Sequence, residues 1–159
     1  SVCVIGSLKP RPGLANGTTV FGTGGTNPAK HGVACGNGFF GSTNVPIFSV
    51  TQGSGAATGT TTGAIYSDTY QFFAATYNPA TRALKTYCGS NAVATDTVQA
   101  YADTIDASDA FQIGAGGAAA QIMLSGTKII ACSGFNAILS DADVVAMRTM
   151  YSTRHGRSY

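Results

Sequence analysis

Hydrophobic positions in this chain fall in short runs broken by Gly, Pro and Asn, a pattern that predicts strands joined by turns and one helix near the end. Val2-Cys3-Val4-Ile5 continues to Leu8 and stops at Pro10 and Pro12, which cannot donate to a strand ladder. Thr18 to Phe21 predicts a second strand, Lys30 to Cys35 a third and Val45 to Thr51 a fourth, with Pro46 assigning the fourth to a sheet edge. Gln52 to Gly63 thins to Gly, Ser, Ala and Thr and reads as a surface loop.

The densest apolar run, Tyr70 to Tyr77, ends at Asn78-Pro79-Ala80-Thr81, where Pro occupies its natural second turn position. Ala83 to Cys88 returns, Gly89-Ser90-Asn91 turns again, and Ala92 to Val98 follows, so two consecutive hairpins are expected. Further on, Phe111-Gln112-Ile113 stops at Gly114, and Ala118 to Leu124 and Lys128 to Phe135 predict two more strands. Ser140 and Asp143 then have capping-box spacing, and Val144, Met147, Met150 and Tyr151 recur at helical intervals.

Composition narrows the picture. The 159 residues suit one domain, spanning 1–159, with a single core. Only 10% are charged, while 44% are hydrophobic and 21 are Gly, so the surface must be made mainly of Thr, Ser, Asn, Gln and backbone. A net charge of +2 from scattered residues gives no groove for nucleic acid. No apolar stretch is long enough to predict a membrane span, and no signal peptide is evident. The chain opens at Ser1 inside a strand-like run without an initiator Met, which leads us to expect a processed product or part of a longer polypeptide. The cysteines, Cys3, Cys35, Cys88 and Cys132, include no Cys-x-x-Cys pair. Reduced thiols are the favoured reading, with Cys3–Cys132 as the alternative pairing.

Candidate chemistry is sparse. Asp96, Asp103, Asp106 and Asp109 cluster in sequence, and Asp103, Asp106 and Asp109 are candidate calcium ligands because calcium takes several hard oxygens. Their spacing is not that of an EF-hand, and solvated turn residues are the favoured alternative. All seven acidic residues are Asp, so the paired glutamates of many sandwich-fold glycanases are missing. His31 and His155 are the only histidines, and neither sits beside a nucleophile motif. Trp is absent, which leaves tyrosines for sugar stacking. Tyr66, Asn91, Gln99 and Tyr101 are the candidate ligand-binding residues.

The run Phe111-Gln112-Ile113-Gly114, then Gly126-Thr127-Lys128-Ile129-Ile130, then Ala137 to Val144 resembles the ending of laminin-G-like, concanavalin A-like jelly-roll domains. The hairpin from Phe73 to Tyr87 and the opening Val2 to Pro10 are similar to that family's central hairpin and early strand. Asp143 stands where the family usually has Glu. The resemblance implies an all-β, two-sheet antiparallel jelly-roll sandwich closed by a short C-terminal helix. It further implies a non-catalytic recognition or adhesion module for a glycan or host-surface receptor. Low charge with abundant Thr, Gly and Ala also suits, by analogy, a bacteriophage tail-fibre or capsid-decoration protein on the virion surface or outside the cell. The alternative is a purely structural part docking onto other virion proteins. Both allow a homo-oligomer.

Overall fold

A computed structural model describes residues 2–7, 18–22, 32–37, 46–51, 56–60, 70–78, 80–90, 92–97, 112–113 and 128–159. These are mostly strand, organised around an antiparallel sheet, with one C-terminal helix. In chain order the elements are β1 (Val2–Ser7), β2 (Thr18–Gly22), β3 (Gly32–Asn37), β4 (Pro46–Thr51), β5 (Ala56–Thr60), β6 (Gln71–Asn78), β7 (Ala83–Cys88), β8 (Ala94–Thr97), β9 (Gln112–Ile113), β10 (Lys128–Gly134) and α1 (Asp141–His155). Hydrogen bonding runs in the orders β10-β1-β6-β7-β8 and β5-β4-β3-β2-β9. The expected strand at Ala118 to Leu124 lies outside the described residues.

Two expectations need correction. β4 is not an edge strand, because it pairs with β3 on one side and β5 on the other. Pro46 is its first residue, where a missing N–H costs the ladder least. The segment read as a loop, Gln52 to Gly63, contains β5 at Ala56–Thr60, registered against Ile47 to Thr51. Its weak apolar signal hid a strand whose pairing comes from its neighbour.

The β6–β7 hairpin forms as expected. Asn78 Oδ1 accepts from the backbone N–H groups of Ala80 (3.0 Å) and Thr81 (3.4 Å), and Arg82 takes a left-handed φ of 60° before Ala83 resumes the strand. An Asn at the strand end thus initiates the turn through its own side chain. β6 carries a continuous apolar run because both its faces are covered. Phe72 and Ala74 share a face with Tyr87, while Phe73 and Ala75 share the other with Thr86 and Cys88. All seven are buried.

Helix α1 lies on the first of those faces. Val144 and Tyr151, seven residues apart and so on one helical face, join Phe72, Ala74 and Tyr87 in one core cluster, with Met147, Leu139, Phe135 and Ala131 against it. Met150, part of the same sequence pattern, is instead 49% exposed, because the buried stripe is narrower than the pattern suggested.

The helix ends as its sequence dictates. Ser140 is the N-cap with extended backbone, its Oγ accepts from Asp143 N, and Asp143 Oδ2 accepts from Ser140 N at 2.9 Å. Gly156 closes the helix in the left-handed region at φ 59°, and Arg157 N–H donates to Ser152 O at 3.0 Å.

β1 pairs with β10, so the start of the chain and the last strand are neighbours. Cys132 is a free thiol opposite Val4, and Cys3 is opposite Ser133, so the Cys3–Cys132 alternative is not formed. The β1–β10 register slips between Ile5 and Gly6, which leaves Ile130 as the extra residue of a bulge. No helix among the described residues is long and apolar enough to cross a membrane.

Candidate functional site

A concavity among the described residues lies where the turn end of the β6–β7 hairpin meets the start of α1. It is a groove of about 530 Å³. Thr76 and Asn78 from β6, Thr81 from the turn, Lys85 from β7, and Ile138 and Asp141 from the helix approach give it its chemistry. Its size falls in the ordinary range of small-ligand clefts.

Lys85 and Asp141 form its centre. β7 alternates so that Lys85 shares a face with Tyr87, the face on which α1 rests. The capping box fixes where the helix begins and so places Asp141, its first residue, above β7. Lys85 Nζ donates to Asp141 Oδ1 at 2.7 Å, and Tyr87 Oη donates to the same oxygen at 2.8 Å. These two bonds, Lys85 first, hold the Asp141 carboxyl below the usual carboxylate range. The Lys85 and Asp141 side chains remain 37% and 56% exposed, so water screens the pair and a ligand can reach it.

Around that pair the groove mixes polar side chains of the hairpin and of Ser140 with the apolar Ala83, Ile138 and Leu139. Asn78, also in the lining, uses its carbonyl oxygen on the turn and has its NH₂ as a donor. Thr76, 3% exposed, lines the floor, and Ile138, 53% exposed, forms an apolar lip. Among the described residues of the lining, Lys85 and Asp141 are the only charged ones, and they neutralise each other.

A smaller cavity of about 70 Å³ lies on the other side of Asp141, lined by Tyr87, Val93, Val145 and Arg148 among others. Arg148 closes it by donating to the Gly89 carbonyl.

The candidate ligand residues Tyr66, Asn91, Gln99 and Tyr101 lie outside the described residues, as do the candidate calcium ligands Asp103, Asp106 and Asp109. Among the described residues, no three His, Cys or acidic side chains come together as a metal site would require. Neither Lys85 nor Asp141 is among the candidate residues that the sequence pattern points to. The available signal was a Lys inside an otherwise uncharged strand. Its partner lies 56 residues away and emerges only from the packing of α1 on β7.

No protein-family model matches the chain, and no curated protein matches it in sequence.

Proposed function

We propose that this chain is a non-catalytic recognition module that binds glycan, built on a two-sheet jelly-roll sandwich of the laminin-G-like, concanavalin A-like kind. Two features support that architecture. β6 is buried on both faces although α1 covers only one, and β5 comes alongside β7 and β8 without joining their ladder. The observation that carries the functional reading is the groove at the start of α1. Its charge-neutral lining of hydroxyl, amide, ammonium and carboxylate groups beside an apolar lip suits a ligand rich in hydroxyl groups. Asp141 is engaged by both Lys85 and Tyr87, which lowers its basicity and fits binding better than proton transfer. Display on a virion or cell surface rests on the low charge and on the abundance of Thr, Gly and Ala.

A second reading, a structural part that docks onto other virion proteins, draws on Val145 and Met150, which are each 49% exposed on α1. Glycan-array binding together with a reducing-sugar assay separates these readings from each other and from a glycanase. Retention of glycans without sugar release is the expected result. An empty array would favour docking, and release of reducing ends would make the chain an enzyme.

A further inference from the structure

We propose that the Lys85–Asp141 pair is a docking point for a vicinal diol, and that the groove around it takes a neutral sugar residue in preference to an acidic one. This inference rests on the glycan-binding reading above and assigns that reading a place and a ligand chemistry.

Asp141 Oδ1 accepts from both Lys85 and Tyr87, and the carboxylate, 56% exposed and in the groove lining, has Oδ2 as its second acceptor. Lys85 spends one N–H on Asp141 and, at 37% exposure, keeps donors for a ligand. An acceptor and a donor held side by side match two adjacent hydroxyls, one donating to Oδ2 and its neighbour accepting from Nζ. Both bonds are charge-assisted, so each is stronger than a bond between neutral groups.

The surroundings extend the match. The Asn78 NH₂ supplies a further donor, and Ile138 offers an apolar lip for the carbon-bound face of a pyranose. Charge balance sets the selectivity. Lys85 is already neutralised at 2.7 Å, so a carboxylated sugar would have to displace Asp141 or sit beside it as a like charge. Asp143 is committed to the Ser140 cap.

The test is an amide NMR titration of the isotope-labelled chain with methyl mannoside and methyl galactoside, and with glucuronate as the acidic probe. The expected result is saturable shifts with the neutral glycosides at Asn78, Thr81, Lys85, Ser140 and Asp141, and weaker shifts with glucuronate. Lys85→Gln should weaken the neutral glycosides about tenfold, the loss of one charge-assisted bond. Shifts at other residues, or affinity unchanged in Lys85→Gln, would overturn this placement and leave glycan recognition standing. Stronger glucuronate binding would overturn the selectivity. A chain that retains no glycan on the array and shows no shifts would overturn both.

Discussion

Tyr87 donates its phenolic hydroxyl to Asp141 at 2.8 Å, joining residues 54 positions apart in the chain. With the Lys85 bond to the same oxygen, this contact pins the first residue of α1 onto β7. The helix is also held farther along, where Tyr151 shares a 2.8 Å hydrogen bond with Ser133 of β10 and Arg148 reaches the Gly89 carbonyl. Beyond the helix, Arg157 sits over the Tyr70 ring at 4.9 Å. The groove therefore has one wall on a strand and one on a helix, with their relation fixed at several points.

The Asp141 contacts make stability depend on acid. A carboxyl whose pKa is lowered by folding stabilises the protein above its ordinary value of 3.8, and that contribution is lost as pH falls through the lower folded value. Asp143, held low by its hydrogen bonds with Ser140, acts in the same sense. Melting temperature should therefore drop as pH falls below about 4, and Asp141→Asn should flatten that limb without removing the part due to Asp143. An equally steep limb in the variant would show that the pair contributes nothing.

Capping gives a second expectation. Ser140→Ala removes the acceptor for Asp143 N and should cost about 1 kcal/mol, measured by urea denaturation with an unchanged slope. Gly156→Ala forces a Cβ into the left-handed region and should cost about 1–2 kcal/mol. No change in either would mean that the helix ends are frayed in solution.

The hairpin core offers two substitutions of opposite sign. Phe72 is 1% exposed between β6 and α1, and Phe72→Ala should cost about 3–5 kcal/mol. Thr86 is 0% exposed, and its Oγ1 has no hydrogen-bond partner among the described residues. Thr86→Val keeps the shape and removes the desolvated hydroxyl, so it should raise stability by about 1 kcal/mol. A destabilised Thr86→Val would reveal a partner for that hydroxyl.

Burial pushes the Cys132 thiol up from its ordinary 9.0, so it should alkylate more slowly than a free-solution thiol at pH 8 and approach it only on unfolding. Mass spectrometry of iodoacetamide-treated native and denatured protein measures the difference. Rapid modification of Cys132 in the native state would contradict its burial.

Local signals foretold most of the described elements, because strands, turn residues and caps are written within a few positions of one another. Ser140 and Asp143 announced α1, Asn78 announced the hairpin turn, and the apolar run from Tyr70 to Tyr77 announced β6. β5 escaped because Ala, Thr and Gly carry little apolar periodicity, and its pairing with β4 is a non-local fact. Pro46 misled because its constraint falls on one residue at a strand start, not on the whole strand. Half of the groove was legible as a helix cap. Its other half, Lys85, became part of a site only through a contact 56 residues long, which no local pattern encodes.

The most direct measurement is calorimetric titration of an array-retained neutral glycan into the wild-type chain and into Lys85→Gln under identical conditions. Saturable binding by the wild type, weakened about tenfold in the variant, with no reducing sugar released, is the predicted result. Equal affinity in the two proteins would remove the groove from recognition, and failure of every glycan to bind the wild type would contradict glycan recognition itself.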